Sequence, residues 1–367
     1  MAKHIKKIAI AMAVMFAALI LVAAGYMIYV AASYTRIKDN LPLAANNVNN
    51  QPTEVVLGEE YEILTYNIGF GAYSPKYSFF MDKGVMSDGK KVSGKYGRGI
   101  SKDDVRHNTN GIVSLINNLN YDFVFAQEVD EDGYRSYHIN QLELIKSHME
   151  GYSSVYAKNY HSAFLYYPLN DPHGKNDSGL LTLSRYAVEQ AVRYSLPVPS
   201  GVSKYFDLDR CFSVSRVKAG DKQLALINVH MSAYDKGGDI KDRQLAVLRE
   251  FLESEKAKGN YVIVGGDFNN DICDSIGTFK TQQRVPDWVS VLTADELPSG
   301  FRVAEAGNKD VPTCRSADMP YQEGVNFTVI VDGFIVSDNI DVVYVENQDT
   351  GFAYSDHNPV HMKFVLR

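Results

Sequence analysis

Apolar runs of strand length recur along this chain, and five of them lead into a short polar motif. The motifs are LTYNIG with Asn67, FAQEVD with Glu128, INVHMSAYD with His230, GGDFNND with Asp267 and Asn269, and YSDHNPV with Asp356 and His357. Compact runs rich in β-branched and aromatic residues, bounded by turn formers, read as buried strands. A strand in a rigid sheet fixes the direction of the residue at its end. A fold that accepts this pattern has several strand ends carrying polar side chains, each held in a set direction.

The grammar between the motifs is mixed α/β. Tyr61 to Ile68 reads as a buried strand ending at Asn67 and Gly69. Ser101 followed by Asp104 makes a helix start, and Val105, Ile112, Ile116 and Leu119 recur at helical spacing toward Asn120. Asp122 to Ala126 returns to strand character and delivers Glu128 just beyond its end. DSGLLTLSRY, QLALINVH, YVIVGGDF and FTVIVDGFIV each read as a strand, and Lys241 to Lys258 reads as a helix with Leu245, Leu248 and Leu252 inward. The absence of an internal repeat disfavours a solenoid or propeller.

Length and charge bound the rest. The 367 residues, 45% apolar, suffice for one large domain or two ordinary ones, and a formal charge of −7 argues against a generally basic, nucleic-acid-coating protein. The cysteines Cys211, Cys273 and Cys314 form no C-x-x-C pair, so neither a disulfide framework nor a zinc site is indicated; a Cys273 to Cys314 bridge stays open.

Residues 8–32 carry no charge and are mostly apolar, long enough to cross a hydrocarbon core of about 30 Å as a helix. Lys3, Lys6 and Lys7 precede them, which assigns residues 1–7 to the cytoplasm and everything after Ala32 to the outside, as a single-pass plasma-membrane protein. A cleaved signal peptide competes, with VAAG and VAAS as processing sites, and would release the protein. Residues 33–58, rich in Asn and holding Pro42 and Pro52, read as a linker, and residues 59–367 as the globular domain.

A phosphodiester is anionic and repels a water nucleophile until positive charge sits on its oxygens. Magnesium supplies such charge, takes oxygen ligands and keeps several waters, so a site needs a carboxylate or two and an amide, not a closed cage. Asn67, Glu128 and Asp356 fit that inventory. His230 and His357 can donate to phosphate or exchange protons near neutral pH.

These motifs, in this order, resemble the endonuclease/exonuclease/phosphatase superfamily from about Glu59 to Arg367, with GDFN and SDH as the most specific parts. Its branches include pancreatic-type deoxyribonuclease, abasic-site endonucleases, neutral sphingomyelinases and inositol polyphosphate 5-phosphatases. The resemblance implies a four-layer α-β-β-α sandwich of two packed mixed sheets. It implies a metal-dependent phosphoric ester hydrolase, with Mg2+ as cofactor and Mn2+ or Ca2+ as alternatives. Carried over by motif, Asn67, Glu128 and Asp356 resemble metal-side residues. Asp267 resembles the carboxylate that orients the attacking water, and Asn269 an amide that contacts phosphate. His230 and His357 resemble the phosphate-facing histidines, and Asp332 in VIVDGFIVS the carboxylate that holds the His357 ring.

Each residue has a plainer reading when taken singly. Asn67 alone is a turn former, Glu128 a surface carboxylate, His230 a structural histidine, and Asp332 with Gly333 a hairpin turn. Ser178 and Gly179 are explained by a strand start, Arg210 by a surface ion pair, and Asp235 and Asp239 by capping of the helix that follows. His107, His138, His148, His161, His173 and His361 receive no role, and Trp288 reads as core or rim.

Substrate choice turns on Tyr73 to Lys102, which follows Asn67 and holds seven Lys or Arg against Asp82 and Asp88, an excess of +5. That excess favours an extended anionic ligand, and Tyr73, Tyr77, Phe79, Phe80 and Tyr96 are placed to stack bases or to meet a lipid headgroup. The inositol-phosphatase signature is lacking, since the CRS at Cys314 to Ser316 has no acidic residue. The expectation is an exported, membrane-anchored phosphodiesterase of nuclease type. A phospholipid phosphodiesterase and a catalytically silent phosphate-binding module are the alternatives. No protein partner is implied.

Overall fold

The strand-length runs are buried along nearly their whole length, which requires cover on both faces, and the fold supplies it with two sheets packed face to face. The structure is a computed structural model and describes residues 2–118, 120–233 and 239–367.

One seven-stranded sheet runs, in spatial order, Ile340–Asn347, Val360–Leu366, Glu60–Asn67, Phe123–Gly133, Asn176–Ser184, Ser153–His161 and Ala45–Asn46. The other, also of seven strands, runs Leu41–Pro42, Gln190–Ser195, Cys211–Ala219, Lys222–His230, Tyr261–Asp267, Asp332–Ser337 and Phe301–Ala304. Both are mixed: Glu60–Asn67 pairs parallel with Phe123–Gly133, and Lys222–His230 pairs parallel with Tyr261–Asp267, while the flanking pairs are antiparallel.

Ile63, Phe123 and Phe125 of the first sheet meet Leu226, Ile263 and Phe334 of the second in the inner core. On the outer face of the first sheet, α2 (Lys102–Asn118) and α3 (Gln141–His148) lay Ile112, Ile116 and Ile145 on Leu64, Tyr66 and Val124. On the outer face of the second, α4 (Asp239–Ala257) sets Leu245, Leu248 and Leu252 on Ile227, Val262 and Val264. This is the expected α-β-β-α sandwich. The glycine pair of GGDFNND has a steric cause: a Cβ on Gly265 would lie 2.7 Å from the Phe334 ring, and one on Gly266 would lie 1.9 Å from the Val229 carbonyl oxygen.

The N-terminal helix α1 (Ala2–Ser33) is long and apolar enough to cross a membrane, and the rest of the chain covers none of its apolar window. The residues read as a linker behave differently from a free tether. Leu41–Pro42 adds an edge strand to one sheet and Ala45–Asn46 to the other; Arg36 pairs with Asp209 at 3.0 Å, and Val55 is buried in the inner core. Unpaired edge strands recruit extended segments, and this one is recruited from its own chain.

One further expectation is corrected, and the cysteine pairing left open is answered. FTVIVDGFIV is not one strand: Thr328–Val329 pairs with Cys314–Arg315 in a small side sheet, and the chain then enters the main sheet as Asp332–Ser337. Cys273 and Cys314 are both free thiols, packed in different apolar clusters. Helix α3 carried no signal that was read. Leu119 and Asp235 lie outside the described residues.

Candidate active site

The two parallel pairs end at the same edge of the sandwich, and the polar motifs meet there. Asn67 is the last residue of its strand and His230 and Asp267 are the last of theirs, with His230 beside Asp267 and Asp267 beside Asp332 across the ladder. Ser355 reaches the same edge from the turn before Val360–Leu366, donating to the Asn67 carbonyl at 2.8 Å and so carrying Asp356 and His357 with it.

Glu128 arrives by a device not anticipated from its spacing. Its strand continues to Gly133, and Glu128 sits at an irregularity between Ala126 and Val129 with φ of 57°, a conformation strained for a residue with a Cβ. The extra residue turns the carboxylate toward the edge. Beneath it the sheets are bridged by a buried amide pair, with Gln127 Nε2 donating to Asn228 Oδ1 at 2.8 Å and Asn228 Nδ2 to the Leu181 carbonyl at 3.0 Å.

Asp267 is the hub. Its Oδ2 accepts from Asn67 Nδ2 at 2.9 Å and lies 3.4 Å from His230 Nε2 and 3.8 Å from His357 Nε2; its Oδ1 accepts from the Asn269 N–H at 2.9 Å. Asn269 turns its own amide to the Met231 carbonyl at 2.9 Å. His230 Nε2 is also 3.7 Å from Glu128 Oε1, and Asp332 Oδ2 holds His357 Nδ1 at 2.8 Å.

The two histidines take opposite charge states. Burial pushes His230 well below the ordinary histidine value, with Arg210 and His357 adding to the fall, so it is neutral. Burial pulls His357 down as well, but Asp332 foremost, then Cys314 and Asp267, outweigh it and hold the ring well above the ordinary value as imidazolium. Burial also raises Glu128 to about 8, with Asp356 as the next cause, and raises Asp356.

The endonuclease/exonuclease/phosphatase family profile matches residues 64–357. The chain belongs to that family. Its fold is also that of solved structures. An endonuclease/exonuclease/phosphatase from Beutenbergia cavernae aligns over 84% of this chain and 72% of its own at 17% identity and a TM-score of 0.53. A family protein from Leptotrichia buccalis aligns over 83% and 99% at 14% identity, with the same TM-score of 0.53. TDP2 from Caenorhabditis elegans aligns over 84% and 75% at 17% identity and a TM-score of 0.48. No curated protein sequence matches the chain. As a family member the chain is a metal-dependent phosphoric ester hydrolase.

The residues fit a divalent cation. Half-buried Glu128 and Asp356 repel one another and are both raised, which is the state a bound cation would relieve. Asn67 Oδ1 accepts one bond, from the Gly69 N–H at 3.0 Å, and keeps a second lone pair. A second group, Asp267, Asp332 and His357, has ligand-type atoms within 4.8 Å of one another, but the 2.8 Å bond between Asp332 and His357 Nδ1 already occupies part of it.

A cleft of about 1540 Å3 opens over this edge, and its lining includes the exposed Arg284 and three buried arginines that family motifs do not mark. Arg135 is buried, bonded to Asp130 Oδ1 at 2.8 Å and to Ser178 Oγ at 3.1 Å, and lies on the Phe70 ring. Arg315, of the CRS segment, is buried with its Nη2 on the Tyr73 and Ser74 carbonyls, each at 3.1 Å, and its Nε unpartnered. Arg210 does form an ion pair, with Asp207 at 3.6 Å, but not on the surface: it is buried, its Nη1 donates to the Met231 carbonyl at 2.8 Å, and its Nε has no partner. Arg210 was visible as the residue that opens a strand; Arg135 lies in a turn and Arg315 in the two-residue strand of the side sheet, and neither carries a local signal. Trp288 and His173 also line the cleft, and burial lowers His173 to about 3. Asp239, the first residue of α4, pairs with Arg243 at 3.8 Å and takes no part in the cleft lining.

Proposed function

We propose that this chain is an exported, membrane-anchored, Mg2+-dependent phosphodiesterase that works by in-line attack of water. The observation that carries the reading is the Asp267 carboxylate, which meets Asn67, a neutral histidine and a charged histidine on one oxygen at the floor of the cleft.

Asn67, Glu128 and Asp356 would hold the metal, an all-oxygen set suited to magnesium. When bound, Mg2+ neutralises charge on the phosphate and the leaving oxygen. Asp267 orients the attacking water and takes its proton. His357, kept as imidazolium by Asp332, donates to the equatorial oxygens as negative charge grows there. His230, neutral, donates from Nε2 without adding a full charge, and the arginines that line the cleft add positive charge that draws the anion in. The lysines ahead of the apolar helix support an exported domain by the positive-inside bias.

Of the aromatic residues read as stacking candidates, Tyr73 and Tyr77 are buried in a small aromatic cluster, while Phe79, Phe80 and Tyr96 are half-buried and Phe79 and Phe80 line the cleft. The lysines of the same segment are exposed and serve any anion. A silent phosphate-binding module has no need of an Asp267 poised between one neutral and one charged histidine.

The test is hydrolysis of bis(4-nitrophenyl) phosphate by the full chain with Mg2+ or EDTA, with Asp267→Ala alongside. Metal-dependent turnover that falls by about 10²-fold or more in the variant is expected. Undiminished turnover in folded Asp267→Ala removes the assignment, and no turnover by the folded parent brings the binding module forward.

A further inference from the structure

The anchor helix does not merely precede the hydrolase domain; it forms part of the wall of its cleft. Tyr26 lines the same cavity as Glu128, Asp267 and His357. The helix is fastened there by its last turns: the Tyr26 hydroxyl donates to the Phe164 carbonyl at 3.3 Å and accepts from the Tyr166 N–H at 3.3 Å, and the Tyr29 hydroxyl accepts from the Phe164 N–H at 3.2 Å. The Tyr26 ring packs edge-on against Tyr166 with centroids 5.6 Å apart.

Helix geometry sets the height of this junction. At 1.5 Å per residue, the distance from Ile8 to Tyr26 is roughly 27 Å and to Tyr29 roughly 32 Å, so a hydrocarbon core of about 30 Å ends between the two tyrosines. Tyrosines are favoured at that boundary. The loop bonded to them therefore lies at the membrane surface, and it is built for that level. Tyr166, Tyr167 and Leu169 are 53%, 69% and 84% exposed, large apolar side chains side by side with no cover from the chain. Tyr167 packs on Phe80, and Met81 beside it is also exposed on the cleft rim. Lys83 and Lys91, on the same rim, suit an anionic surface. Beside those two lysines the rim turns exposed aromatic and aliphatic side chains outward.

We propose that the rim formed by Tyr166, Tyr167 and Leu169 seats in the outer surface of the bilayer that the anchor spans, and that the substrate is a phosphodiester lipid of that bilayer. Its headgroup phosphate enters the cleft while its acyl chains stay in the membrane. Water adds to phosphorus, the bond from phosphorus to the glycerol oxygen breaks, and the departing oxygen takes up a proton. Diacylglycerol is left in the bilayer and a phosphomonoester headgroup leaves in water. The substrate half of this inference rests on the hydrolase reading above; the surface half does not.

The experiment uses the full chain in vesicles of phosphatidylcholine, phosphatidylethanolamine and phosphatidylglycerol, with Mg2+. It follows release of water-soluble headgroup phosphate, hydrolysis of bis(4-nitrophenyl) phosphate and nicking of plasmid DNA. The parent is compared with the triple variant Tyr166→Ser, Tyr167→Ser, Leu169→Ser, whose positions are exposed and tolerate the change. Separately, Leu169→Cys labelled with a nitrobenzoxadiazole dye is tested for quenching by lipids carrying a nitroxide on the acyl chain, against unlabelled-site controls. The expected result is quenching at position 169 and lipid hydrolysis that falls at least about tenfold in the triple variant, equivalent to about 1.4 kcal/mol, with turnover of the soluble diester unchanged. Absence of quenching, equal lipid turnover in both proteins, or DNA cleavage without lipid cleavage overturns the proposal. Quenching with no hydrolysis of any substrate would retain the membrane-seated rim, and would remove the hydrolase reading and the lipid substrate together.

Discussion

Replacing Asp332 by Asn tests the electrostatics of the site most sharply, because it keeps the shape of the side chain and deletes one charge. In the structure Asp332 Oδ2 lies 2.8 Å from His357 Nδ1, and both side chains are more than nine-tenths buried. At that separation and an effective dielectric of about 20, the attraction to an imidazolium is roughly 6 kcal/mol as an upper bound. Burial opposes the charged ring and would then dominate, bringing His357 to or below the ordinary value of about 6.5. A His357 whose value is raised stays protonated until pH climbs through that raised value, so the parent retains its proton donor into the alkaline range. The variant loses it as pH rises through a much lower value. The expected outcome is a fall in kcat of at least about 10²-fold at neutral pH, with the alkaline limb of the kcat profile moved to lower pH by about one unit or more. Profiles of kcat and kcat/KM across pH, with a titration of the His357 ring by NMR, measure both. An unchanged alkaline limb, accompanied only by a higher Mg2+ requirement, would refute the positioning role and make Asp332 a metal ligand.

Glu128→Gln removes the charge that burial and Asp356 have raised, and should increase the Mg2+ concentration needed for half-maximal activity by about tenfold or more while leaving the unfolding midpoint in EDTA unchanged or higher. Glu255, wholly covered, binds Arg216 at 2.7 and 2.8 Å and Asn260 at 2.8 Å. Burial raises its carboxyl, but Arg216, Lys258 and Asn260 outweigh that and bring it down to about 2. Its contribution to stability is present above the unfolded value of about 4.5 and is lost as pH falls toward 2, so Glu255→Ala should cost about 3–5 kcal/mol in urea unfolding at pH 7 and flatten the acid limb of stability. A chain beginning at residue 59 should be less stable than one beginning at residue 34 by several kcal/mol, roughly what burial of Val55 and Leu43 and two edge pairings supply, and equal denaturation midpoints would show residues 34–58 to be a true tether.

Sequence alone determined the layers and the membership of the site. A strand buried on both faces must be apolar throughout, so Tyr61 to Ile68 and YVIVGGDF announce themselves, and a side chain at the end of such a run is legible because the period of the run stops there. The site's identity as a cluster was readable from motif order. What sequence could not decide is whatever depends on two distant segments meeting. The charge of His357 and the neutrality of His230 follow from which histidine faces Asp332, a side-chain contact between residues 25 apart in the chain that joins the edges of the two sheets. The inward turn of Glu128 comes from a misfit between its strand and Asn176–Ser184, and the stitching of residues 34–58 from two free sheet edges that happen to lie in reach. Arg135 sits in a turn and Arg315 in a two-residue strand, both too short for any periodicity to mark burial. The meeting of Tyr26 with the cleft joins the first helix to a loop some 140 residues later. Local propensity and pattern are properties of one segment; desolvation, charge state and the walls of a cleft are properties of several segments at once, and only folding brings those together.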